Sequence, residues 1–194
     1  MKAKTVLVLI SLLLIGCDRM NVEDFVHDAP EFVPEEYFQG RTLASGLFMD
    51  RFGNVRRQFV VTIDGTWDGT KLRLNEDFVY SDGETENRIW TLARTGDFSY
   101  SGDTANAIGI AKGSRRGNAF NWKYKFNLKV GDGFWKVKFD DWIFLQPDGT
   151  LLNVATITRW GIKLGTVYLS FNKPAGNAGF ILKSVPELPS VSGL

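Results

Sequence analysis

The residues of this chain that could do chemistry are carboxylates, arginines, an aromatic set and one thiol. Glu76-Asp77 and Asp140-Asp141 are adjacent acidic pairs. On a strand, neighbouring side chains point to opposite faces, so each pair should send one carboxylate inward and one to solvent. Glu76 shares a face with Phe78 and Tyr80, and Asp77 shares one with Val79. Asp141 follows the face of Trp135, Val137 and Phe139 under regular alternation, whereas a bulge would turn Asp140 inward with Trp142 and Phe144. Which member of each pair is buried therefore stays open. A buried carboxylate needs a cationic partner, and Arg57, Arg88 and Arg159 could reach one across strands. Such a set could hold a polar headgroup or work as an acid/base pair for hydrolysis or isomerisation. It could equally be a structural ion pair or a turn cap. His27 is the only histidine and precedes the strand region, which removes histidine triads and multi-histidine metal sites. No metal or cofactor is implied.

The thiol is Cys17, the only cysteine, so no internal disulfide can form. Lys2 and Lys4 precede an apolar run from Val6 to Ile15, which is shorter than the roughly 20 residues a membrane-spanning helix needs but suits a signal-peptide core. The run ends in Leu14-Ile15-Gly16-Cys17, which resembles the lipobox of bacterial lipoproteins. The resemblance implies cleavage after residue 16, acylation of Cys17 and a membrane anchor facing the periplasm of a bacterial cell envelope. By the same resemblance Asp18 favours the inner over the outer membrane. Residues 17–36 carry seven acidic side chains, with Pro30 and Pro34, and read as an extended, solvated tether. Loss of residues 1–16 removes Lys2 and Lys4 and turns the formal net charge from +1 to −1, which offers nothing to nucleic acid.

What remains must position the aromatic and charged residues, and its pattern is strands and turns. Phe120, Trp122, Tyr124, Phe126, Leu128 and Val130 alternate with Asn121, Lys123, Lys125, Asn127 and Lys129, the mark of a half-buried antiparallel strand. Asp68-Gly69, Asp82-Gly83, Asp132-Gly133 and Asp148-Gly149 are hairpin turn signals. Strands are expected at 42–49, 59–63, 71–80, 87–93, 97–102, 106–111, 120–130, from Trp135 on, 152–160 and 166–171. A basic turn is expected at Ser114-Arg115-Arg116-Gly117. Eight to ten short strands in a meander must close or be covered, so residues 37–173 read as an all-β, closed antiparallel up-and-down barrel of lipocalin-like kind, with a two-sheet β-sandwich as the alternative. Residues 174–194, with three prolines, read as a loose tail in which Phe180-Ile181-Leu182 could dock on the barrel.

Long motifs carry a second resemblance. Gly46–Gly53, Gly65–Gly69, Glu76–Glu84, Arg88–Trp90, Gly117–Trp122 and Phe139–Leu145 resemble a family of proteobacterial lipoproteins known only as a domain of unknown function. It implies an envelope lipoprotein with a lipocalin-like barrel, often encoded near cyclopropane-fatty-acid synthase-type enzymes, and brings no catalytic residues. The function expected is binding or shuttling of a fatty acyl chain or other apolar ligand, with Trp90, Trp122, Tyr124, Phe126, Trp142, Arg88, Asp77 and Asp140 as the ligand-facing set. The alternatives are a non-catalytic accessory protein for an envelope or lipid-modifying enzyme, and a carboxylate-based hydrolase or isomerase. The thiol reading has its own test: labelled palmitate fed to cells making the full chain should enter the wild type and not Cys17→Ser. Equal labelling of the two would refute it.

Overall fold

The computed structural model describes residues 20–174; Cys17, the apolar run before it and the tail with Phe180–Leu182 lie outside the described residues. Ten strands make up the fold: β1 (Gly40–Asp50), β2 (Val55–Trp67), β3 (Lys71–Tyr80), β4 (Thr85–Arg94), β5 (Ser99–Asp103), β6 (Ala111–Arg116), β7 (Ala119–Val130), β8 (Gly133–Leu145), β9 (Leu151–Arg159) and β10 (Ile162–Asn172). Each pairs antiparallel with its sequence neighbours, and β1 pairs with β10, so the meander closes into an up-and-down barrel rather than a sandwich. Closure leaves no edge strand open to pairing with another chain.

The alternation read in the sequence is the barrel's inside and outside. Around one ring Ala44 stands opposite Val61, Val61 opposite Phe78, and Phe171 returns to Ala44. Parity then sends Phe120, Trp122, Tyr124 and Phe126 inward. Trp122 fits because β5 and β6 present glycines to it: a Cβ on Gly113 would come within 2.5 Å of the indole. These two strands are short, and below them the segment after β5 runs along β7, with Ile108 N–H donating to the Lys125 carbonyl and Asn127 N–H to that of Asn106. The expected strand at 106–111 is therefore mostly this irregular segment, and the expected basic turn at 114–116 belongs to β6, whose reversal falls at Gly117. Small residues in 106–111 gave a weak period-two signal that the loop's packing overrides.

The largest departure is the expected tether. Val22–Phe25 forms one 3₁₀ turn capped by Asn21, and Pro34–Tyr37 forms the short helix α1. Phe32 is fully buried, its N–H donating to the Gly117 carbonyl, with its ring against Phe38 and Phe120. The segment plugs one end of the barrel, where β1, β3, β7 and β9 begin. Gly65 admits it: a Cβ there would sit 1.8 Å from the Phe38 carbonyl oxygen. Acidic residues that suggested a free spacer are instead paired: Glu35 accepts from the Tyr100 hydroxyl and pairs with Arg94, while Arg115 pairs with Glu31 and Arg116 with Glu23. An extended tether would be indifferent to Phe32→Ala. The plug predicts a loss of about 3–5 kcal/mol, because a fully buried ring is removed, measurable by chemical denaturation; a loss below about 0.5 kcal/mol would restore the tether.

Candidate functional site: a cavity inside the barrel

Ten strands enclose more room than side chains fill. A cavity of about 400 Å³ runs from the plug residues Pro34 and Phe38 to Lys129 and Val130, which are solvent-exposed, so it opens at the end away from the plug. Its walls are mainly apolar and aromatic, with Phe59, Val61, Phe78, Trp90, Trp122 and Phe139 prominent. Aromatic pairs fix the wall: Trp90 lies edge-on to Trp122 at 5.8 Å and to Tyr124 at 5.0 Å, and Tyr124 stacks on Phe139 at 4.8 Å.

Polar groups interrupt this surface at mid-depth. Glu76 on β3 stands directly opposite Arg88 on β4, and Asp141 on β8 stands opposite Trp122. The Arg88 guanidinium donates to Glu86 at 2.8 Å and lies over the Phe78 and Phe126 rings at 4.9 and 4.8 Å. Nearer the mouth, the Tyr80 hydroxyl donates to Glu86 at 2.9 Å, and Arg57 lies 3.5 Å over the Tyr80 ring while pairing with Asp82 and Glu84. The chain of charges is Asp82/Glu84, Arg57, Tyr80, Glu86, Arg88. It supplies Arg88 inside the barrel and the half-buried Arg57 nearer the mouth each with an anion.

Glu76 and Asp141 are the groups left over. Both lie deep in the barrel yet keep part of their surface toward the cavity. Burial pushes the Glu76 carboxyl up to about 7, with Arg88 pulling it down and Glu86 adding to the rise. Burial, then the neighbouring Asp140 charge, pushes Asp141 up to about 8 against the pull of Arg88. One oxygen of Asp141 and the Arg88 Nε are buried without a hydrogen-bond partner among the described residues. The wall thus places two ionisable acids, Glu76 and Asp141, beside the Arg88 guanidinium in an otherwise apolar cavity.

Of the ligand-facing set expected from sequence, Trp90, Trp122, Tyr124 and Arg88 line the cavity, and Phe126 is buried beneath Arg88. Asp77, Asp140 and Trp142 point outward, which corrects their assignment to the site. Asp77 accepts from Asn87 at 2.7 Å, Asp140 from Asn121 at 2.7 Å, and Trp142 packs outside the wall on Phe25 and Phe144. The reason is register: β7 and β8 pair without interruption from Ala119 to Val130, so no bulge turns Asp140 inward. Arg159 sits at the mouth over Trp135 and Trp160. Glu86, Arg57 and Tyr80 were missing from the expected set, although Glu86 and Tyr80 share strand faces with Arg88 and Glu76.

Fold and cavity define a lipocalin-like closed barrel with an internal site. Residues 11–173 match the family described as protein of unknown function DUF3833, and the chain belongs to that family. Among solved structures it resembles the S-type phycobiliprotein lyase of Guillardia theta, with a TM-score of 0.54 and 12% identity over 81% of this chain and 96% of that one. At that identity the likeness is one of fold. No curated protein matches the chain.

The two raised carboxyls set a pH dependence. Between their ordinary values, near 4, and their values in the barrel, the folded chain holds protons that the unfolded chain has released. Their contribution is therefore fully present below about pH 4 and is lost as pH rises through 7 and 8. Thermal melts from pH 5 to pH 9 should show stability falling, and Asp141→Asn and Glu76→Gln should each flatten the slope and raise stability at pH 9 by on the order of 1 kcal/mol. An unchanged slope in both variants would show the carboxyls to be hydrated and unperturbed.

Proposed function

We propose that the barrel is a carrier that holds one apolar molecule of the lipid or acyl-chain class, oriented by a single polar group, in a lipid-anchored protein of a bacterial cell envelope. The observation that carries this reading is the cavity: about 400 Å³, walled by aromatics, open at one end and interrupted by a compact polar patch. Sites that bind small molecules have volumes of roughly 300–1,000 Å³ and the same mix of apolar wall and few polar groups. An acyl chain would lie against Phe59, Phe78, Trp90 and Trp122, while its polar end met Glu76, Arg88 and Asp141. The anchor rests on Cys17 and its flanking residues, and the inner-membrane preference on Asp18.

A second reading, the accessory protein, draws on one feature of the outer wall. Val60, Val79, Leu152, Val154 and Tyr168 face outward on adjacent strands beside a surface groove, the kind of patch that docks another protein. The two readings separate on the contents of the cavity. Organic extraction of the purified protein followed by mass spectrometry should recover about one molecule per chain from the wild type. It should recover little from Ala155→Trp, which fills the cavity at a buried wall position. Equal recovery from both proteins, or none from the wild type, would favour the accessory reading.

A further inference from the structure

The two ends of the barrel are built differently. The plugged end is closed by α1 and Phe32, and the chain enters the fold there, beside the β6–β7 turn. At the other end four hairpins surround the mouth, and three of them carry large apolar side chains at their tips. Phe52 between β1 and β2 is 74% exposed, Phe134 after the β7–β8 turn 64%, and Trp160 between β9 and β10 84%. Val55, Val130, Trp135 and Ile162 stand beside them, also exposed. Isolated exposed apolar residues are ordinary, but a ring of them around a cavity mouth is a patch.

Trp160 is the sharpest of these. Its φ of 52° makes it the one non-glycine residue among those described with a positive φ, followed by Gly161 at 80°. That two-residue turn is the geometry in which Asn or Gly is favoured and a bulky side chain is strained. The strain is not compensated by burial in the barrel, because the indole is the most exposed large apolar side chain in the described residues. Arg159 covers one face of the indole at 4.0 Å and leaves the rest to solvent.

The rim is also basic. Arg51, Lys129, Lys136, Arg159 and Lys163 lie on these hairpins, and among the described residues none has a carboxylate within 4 Å. Of the acidic groups at this end, Asp50 and the Asp82/Glu84 pair are engaged by Arg56 and Arg57, and Asp132 on the β7–β8 turn, exposed and outside any ion pair among the described residues, offsets one of the five cations. The plug end differs, because Glu23, Glu31 and Glu35 there are paired with Arg116, Arg115 and Arg94 and leave no comparable row of unpaired cations among the described residues. Aromatic tips with cations just behind them are the pattern that seats a protein at the headgroup level of an anionic bilayer, the rings entering and the cations pairing with phosphates.

We infer that the mouth rim is a docking surface for an anionic lipid membrane, with Phe52, Phe134 and Trp160 entering the interface. It deepens the carrier reading by giving the cavity a route to a bilayer, but it stands on the rim residues and does not require a loaded cavity. A neutral or zwitterionic surface lacks the complement to the unpaired cations, and a protein partner would leave the strained indole no more explained than any other exposed ring.

The test uses a chain beginning at Asp18, which keeps the plug and all ten doubly paired strands and removes the N-terminal apolar run. Co-sedimentation with phosphatidylglycerol–phosphatidylcholine vesicles should be about tenfold or more stronger than with phosphatidylcholine alone, and should weaken with salt. The triple variant Phe52→Ser, Phe134→Ser, Trp160→Asn should lose about tenfold or more of that binding. Trp160→Asn alone should raise the melting temperature, since Asn accepts positive φ, while weakening vesicle binding. Lys129→Gln with Lys163→Gln should reduce the preference for anionic vesicles and spare the melting temperature. Vesicle binding by the triple variant equal to wild type, or no binding of the wild type to anionic vesicles, would overturn the inference. A fall in melting temperature with Trp160→Asn would overturn it too, because the indole would then be packed within the protein. Unchanged extraction yield from the cavity in a rim variant that no longer binds vesicles would separate this surface from the carrier reading.

Discussion

Closing the sheet through the β1–β10 ladder constrains everything else in this protein. In an open meander a slipped hairpin can move one strand's side chains to the other face and leave the rest alone. In a closed ring of ten strands the parity must agree all the way around, and it does: Ala44, Val61, Phe78 and Phe171 meet on the inside of one circuit. The register shifts of β1–β2 and β9–β10, at Phe48/Met49 and Lys163/Gly165, fall toward the mouth. Because parity is fixed, Glu76, Arg88 and Asp141 cannot turn to solvent without breaking their neighbours' packing. The interior then accommodates them by pairing Arg88 with Glu86 and by raising the pKa of both carboxyls through burial. Polar groups confined to an apolar cavity in this way are the part of the structure most readily explained by a ligand.

The barrel was legible in the sequence because each hairpin carries its own turn chemistry and β7 alternates over its whole length. Those signals are local. Residues whose position depends on partners far along the chain were harder to place. Asp140 and Asp141 look alike as a pair, and only unbroken pairing with β7 decides that Asp141 is inside. Trp142 was grouped with the interior because aromatics favour cores, yet its strand neighbour Asp141 takes the inward place and Phe25 covers the ring outside. Residues 20–36 looked like a solvated spacer from their acidity. Their fate was settled by Phe32 and by arginines on β4 and β6, remote in sequence, that pair with the glutamates. Arg57 and Tyr80 joined the polar chain through a cross-strand stack that linear order does not show.

The two ends of the barrel differ in build and in the charge they leave unpaired. One end is sealed by the chain's own N-terminal segment, and the other is open, basic and rimmed with exposed rings. In the proposed setting, an anchor at Cys17 would hold the sealed end, so that the mouth points away from the point of attachment. That arrangement suits a protein that accepts or delivers an apolar molecule at a lipid surface while its cavity shields the molecule from water.

The central claim is that the cavity holds an apolar ligand, and Trp90 and Trp122 on its wall provide the means to test it. Titrating the protein with a fatty acid brominated along its chain, below its micelle-forming concentration, should quench their emission saturably at about one ligand per chain. Ala155→Trp should block the effect. Quenching that never saturates, or that persists unchanged in the filled-cavity variant, would mean that the interior is not a binding site.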